Sequence, residues 1–128
     1  MVNLLDFVGR VFISALFLFS AFNKILDYSG TIGWMESYGV PGFILGPTIG
    51  LEVVLPLLII IGYQTRTASI LLALFSCITA IIFHSDFSDQ MQMIAFLKNI
   101  GLAGGFIFIA IHGPKDWAIE KKRKYVRL

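Results

Sequence analysis

Four long apolar runs constrain this chain more than any other feature. They cover residues 5–26, 44–62, 67–84 and 93–111. A hydrocarbon layer about 30 Å thick is crossed by about 20 apolar residues in a helix that rises 1.5 Å per residue. Each run approaches or exceeds that length. A membrane barrel would alternate polar and apolar residues along short segments. The stretch Val53-Val54-Leu55-Pro56-Leu57-Leu58-Ile59-Ile60-Ile61 does not alternate. The predicted fold class is therefore all-α: one integral membrane domain, a four-helix bundle spanning the lipid bilayer, followed by a basic tail over residues 115–128.

Composition excludes the alternatives. Hydrophobic residues make up 57% of the chain and charged residues 14%, against about 25% charged in a typical soluble domain. A soluble chain of this size has too little interior to hide so much apolar surface. Disorder needs the opposite balance. A lone cysteine, Cys77, rules out an internal disulfide. The first run exceeds the 7–15 apolar residues of a secretory signal and lacks a small-x-small cleavage site, so it reads as a retained span.

The connections give an orientation. Tyr63-Gln64-Thr65-Arg66 is a tight turn that makes the second and third spans a hairpin. Residues 27–43 form a longer loop carrying Tyr28, Trp34 and Tyr38, residue types that favour the lipid–water interface. Gly113-Pro114 ends the last helix, since proline cannot continue it. Basic residues gather in that tail (Lys115, Lys121, Lys122, Arg123, Lys124, Arg127) and at Arg66. Acidic ones gather in the other two loops, as Asp27, Glu36, Asp86 and Asp89. The positive-inside rule then places both termini in the cytoplasm. Bound to that membrane face, the tail reads as a lipid contact rather than a nucleic-acid module, so no nucleic acid is expected as a partner.

Ionisable groups inside the hydrocarbon layer are costly and mark candidate sites. At 100° per residue, Arg10, Ser14, Phe17, Ala21 and Lys24 share one face of the first span. Arg66, Ala73, Cys77, Ala80 and His84 share one face of the third. Ala95, Lys98, Gly101 and Gly105 share one face of the fourth, with Gly101 and Gly105 as a small-xxx-small packing pair. By depth, Asn23, Lys24, Glu52, His84, Lys98 and Asn99 all fall in the outer half of the membrane. Glu52 with Lys98 is the predicted ion pair, because a desolvated charge needs a partner. Pro56 lacks an amide hydrogen and leaves the Glu52 carbonyl without its helical donor.

The same residues have plainer roles. A buried Glu–Lys pair can simply fix helix register. Lys24 can snorkel to the interface, and His84 can close a helix end. Arg10 and Arg66 can be cytoplasmic anchors, and Cys77 a packing residue. Other chemistries are excluded by position. His84 and His112 lie about a membrane thickness apart and cannot share a haem. No cysteine–histidine cluster offers a metal site, and no phosphate loop follows a strand.

The ordered set of Arg10, Phe22-Asn23-Lys24-Ile25-Leu26, Gly39-Val40-Pro41, Glu52, Gly62-Tyr63-Gln64-Thr65-Arg66, His84, Phe96-Leu97-Lys98-Asn99 and Gly113-Pro114 resembles the DoxX family of small four-helix membrane proteins. The departure is Lys115-Asp116-Trp117-Ala118-Ile119-Glu120, where the family often has a second glycine and a serine-leucine-aspartate. The resemblance implies a multi-pass protein of the bacterial inner membrane with links to redox chemistry, some members being named as a small subunit of thiosulfate–quinone oxidoreductase. It implies quinone as the cofactor class and a redox protein as the partner, with Glu52, Lys98, Asn99 and His84 handling the head group. No side chain in the chain carries electrons, so such a role requires a bound cofactor or another subunit. The alternative is a non-enzymatic scaffold or partner subunit in which these residues lock the bundle. A carrier role would need a homo-oligomer.

Overall fold

The computed structural model describes residues 1–119. Five α-helices follow in order: α1 Val2–Leu26, α2 Tyr28–Ser37, α3 Leu45–Ile61, α4 Thr65–Phe83 and α5 Gln90–His112, with a short 3₁₀ turn at Gly42–Ile44 before α3. Counting that turn with α3, four of them are long and apolar enough to cross a membrane. The described residues contain no strand. The chain is an all-α integral membrane bundle. Of the basic tail, only residues 115–119 are described. Lys121, Lys122, Arg123, Lys124 and Arg127 lie outside the described residues.

Local chemistry sets the helix boundaries. Asp27 breaks α1 from α2, its side chain accepting from the Gly30 amide at 3.2 Å as an N-cap. Asp89 caps α5 in the same way through the Met91 amide at 3.0 Å. Gly62 ends α3 in the left-handed region at φ 73°, and Gln64 opens α4 at φ 50°. The amides of Gly62 and Tyr63 both return to the Leu58 carbonyl, at 2.9 and 3.0 Å.

The bundle is assembled from antiparallel neighbours, α1 against α3, α3 against α4 and α4 against α5. Phe17 of α1 closes the ring against Phe106 of α5, with ring centroids 5.5 Å apart. Around them Ile59, Leu72, Ala73 and Ala103 form the core. Large apolar side chains such as Phe12, Phe19, Leu74 and Phe108 point outward. On a soluble protein this would be a liability; on a membrane bundle it is the lipid-facing surface.

Two readings of the sequence require correction here. The loop over 27–43 contains a ten-residue helix, α2, which lies across one end of the bundle. Its Trp34 stacks on Phe83 of α4 with centroids 4.4 Å apart, and Met35 is buried beside Leu45 and Phe83. Arg10, expected as a cytoplasmic anchor, is instead a buried cross-link between segments. It is 2% exposed and donates to the carbonyls of Ile59 (2.9 Å), Ile60 (2.7 Å) and Trp117 (2.5 Å) and to Asp6 Oδ2 (3.0 Å). The final carbonyls of a helix lack intrahelical donors, and the guanidinium supplies them. The same contacts hold the segment after α5, whose Lys115 amide reaches Asp6 Oδ2 and whose Ile119 amide reaches the Ile61 carbonyl.

Candidate intramembrane site

Glu52 lies midway along α3 and is 2% exposed. Its Oε1 accepts from Lys24 Nζ at 2.6 Å, and Lys24 also donates to Ser20 Oγ at 2.8 Å. The predicted partner, Lys98, is not the one the fold supplies. α1 packs beside α3, whereas α5 packs beside α4, so the lysine near the end of α1 reaches the carboxylate. Lys24 does not snorkel away from the interior. The second carboxylate oxygen, Glu52 Oε2, is buried and has no hydrogen-bond partner among the described residues. Unpartnered buried oxygens of this kind are rare enough in native proteins to require an explanation.

Glu52 also lines a cavity. This cavity of about 690 Å³ lies between the helices beneath α2, within the roughly 300–1,000 Å³ usual for small-molecule sites. Its walls are mostly apolar, with Leu16, Phe17, Leu51, Phe75, Ile78 and Phe83 among them. Trp34 and Met35 of α2 form part of the lining. The polar lining consists of Ser20, Lys24, Thr48, Glu52, Thr79, His84, Lys98 and Asn99. Five residues singled out from the sequence thus converge on one cavity: Lys24, Glu52, His84, Lys98 and Asn99. Asn99 is oriented by a long hydrogen bond from its Nδ2 to Thr79 Oγ1, 3.5 Å. His84 caps α4 beyond its membrane-spanning segment. Burial, and then the nearby Lys98 charge, hold its imidazole below the usual histidine range.

Asn23 falls elsewhere. It is exposed and lines a shallower groove between α1 and α2, with Phe19, Asp27 and Thr31. That groove shares Leu16, Ser20, Lys24 and Trp34 with the cavity. The packing residues divide as well. Pro56 is buried within a continuous α3. At Gly105 an added Cβ would lie 2.9 Å from Ile13 Cδ1, the far end of that side chain, so α1 and α5 meet at this glycine. Gly101 is exposed and faces open space. The buried stripe of α5 is Ala103, Phe106 and Ala110, reached by stepping from Asn99 rather than from Lys98. Small residues occur on both faces of this helix, so size alone did not reveal the inward one.

Ser20, Thr48, Thr79 and Trp34 were not foreseen as lining. Two carried a legible signal. Ser20 lies one helical turn before Lys24 and Thr48 one turn before Glu52, a spacing that stacks side chains on one face.

Comparison with known proteins accords with this architecture. The DoxX family model matches residues 5–85, well over half of the chain and spanning α1 to α4. The chain belongs to the DoxX family. Two relatives from Escherichia coli (strain K12) align beyond that range. Inner membrane protein YqjF is 40% identical over 114 residues, covering 89% of this chain and 88% of the relative. Inner membrane protein YphA is 30% identical over 122 residues, covering 90% and 87%. No solved structure matches this DoxX chain.

Proposed function

We propose that this DoxX protein is a redox-associated subunit of the bacterial inner membrane whose cavity beneath α2 binds the head group of a quinone-type amphiphile. The observation that carries this reading is Glu52 Oε2, a buried acceptor with no partner, in the wall of a largely apolar cavity. A head-group hydroxyl donated to that oxygen would satisfy it, while the aromatic and aliphatic walls suit a ring. Lys24 holds the carboxylate in place through Oε1. Asn99 and His84 offer further polar contacts, and Trp34 closes the cavity from α2. A bound quinone would supply the electron-carrying chemistry that the side chains lack, and a redox partner protein would complete the electron path. The lysine and arginine distribution supports an orientation with both termini cytoplasmic and the cavity in the outer half of the membrane.

Fluorescence tests this directly. The chain has two tryptophans, Trp34 at the cavity and Trp117 at the opposite end. In detergent-solubilised Trp117→Phe protein, a short-chain quinone is expected to quench Trp34 saturably. A Lys24→Met/Glu52→Leu double variant that remains folded is expected to lose that quenching. Linear, collisional quenching identical in both proteins would overturn the proposal.

A second reading has its own support. The Lys24–Glu52 bond joins α1 to α3, which a non-enzymatic scaffold would also need. In that case the double variant would keep its partners and its cellular role at normal membrane abundance.

A further inference from the structure

We infer that Lys98 makes the cavity a receptor for an anionic head group, so that the amphiphile it takes is an acid ionised at neutral pH. The inference rests on the reading that the cavity binds an amphiphile, and it names the charge of the ligand. Four ionisable side chains line the cavity: Lys24, Glu52, His84 and Lys98. Lys24 and Glu52 neutralise each other at 2.6 Å. An imidazole is neutral or cationic, so His84 cannot serve as a counter-ion. Lys98 makes no ion pair among the described residues. The cavity lining therefore carries at least one positive charge, on Lys98, without an ion-pair partner.

Position leaves that charge open to a ligand, because Lys98 is an exposed residue of the cavity lining. Lys98 lies eight residues beyond the start of α5 at Gln90, about 12 Å along the helix. An ionised oxygen on the ligand would pair with it through a charge-assisted hydrogen bond, stronger than a neutral one. Asn99, fixed by Thr79, stands beside it as a second donor. Carboxylate, phosphate and ionised hydroxyl groups share this chemistry.

Two matched probes test the inference: an alkylated hydroxynaphthoquinone, ionised at pH 7, and its neutral methyl ether. Binding is read by Trp34 quenching in the Trp117→Phe protein. The ionised probe is expected to bind about ten-fold more tightly than the ether, the step that about 1.4 kcal/mol gives. Lys98→Gln should bring the ratio close to one, while Lys98→Arg should keep it, with circular dichroism confirming that both variants are folded. Equal affinity for the two probes, or a ratio unchanged in Lys98→Gln, would overturn the inference and leave the amphiphile site standing. Absence of saturable quenching by either probe would remove both. Mass spectra of lipid extracts then separate the sources. A fatty acid, phospholipid or ionised quinol retained by the native protein and lost in Lys98→Gln supports the assignment, and identical extracts count against it.

Discussion

Lys24 Nζ donates to Glu52 Oε1 at 2.6 Å, tying the far end of α1 to the middle of α3. The bond sets the depth at which two neighbouring helices meet. It also leaves the other carboxylate oxygen buried without a donor of its own, in a residue that lines the cavity. Structural and ligand-binding roles therefore converge on one carboxylate.

Removing one member of this pair strands the other. Lys24→Met should destabilise the bundle by about 3–5 kcal/mol, the range for breaking a buried ion pair. The Lys24→Met/Glu52→Leu double variant should recover most of that loss. Thermal unfolding in detergent measures both. A double variant no more stable than the single one would show that the pair is not the unit of stability.

Arg10 performs the corresponding work at the opposite end. Arg10→Met removes the donors to Ile59, Ile60 and Trp117 together. Hydrogen bonds to charged groups contribute about 1.5–3 kcal/mol each, so a loss of at least about 4.5 kcal/mol is expected. The segment after α5 should also come free, and limited trypsin digestion should cut at Lys115 faster than in the native protein. Unchanged cleavage there would show that Arg10 does not hold this segment.

Gly62 carries two separate constraints. Its left-handed φ of 73° disfavours a side chain, and an added Cβ would collide with Ala118. Gly62→Ala should cost about 1–2 kcal/mol from backbone conformation alone and should displace the tail as Arg10→Met does. A stability equal to that of the native protein would mean that the turn and the tail can move apart freely.

Orientation is tested without any ligand. Reporter fusions after Asp86 and after Leu128 should report opposite sides of the membrane, the latter cytoplasmic. Reports from the same side would contradict the four-span topology.

The sequence by itself determined the number of spans, their approximate ends and the set of polar residues held inside the membrane. Those properties follow from run length and hydropathy, which are local. Helical periodicity also gave the buried face of α1, where Arg10, Ser14, Phe17 and Ala21 all turn inward. Only the tertiary structure decided which charges meet. Periodicity tells which way a side chain points but not which helix stands there. Glu52 found Lys24 because α1 is its neighbour, and Lys98 was left facing the cavity from α5. The same limit concealed the inward face of α5, the docking of α2 through Trp34 on Phe83, and the burial of Arg10 against carbonyls 49 and 50 residues away. Each depends on contacts between segments distant in the chain, and no local pattern encodes them.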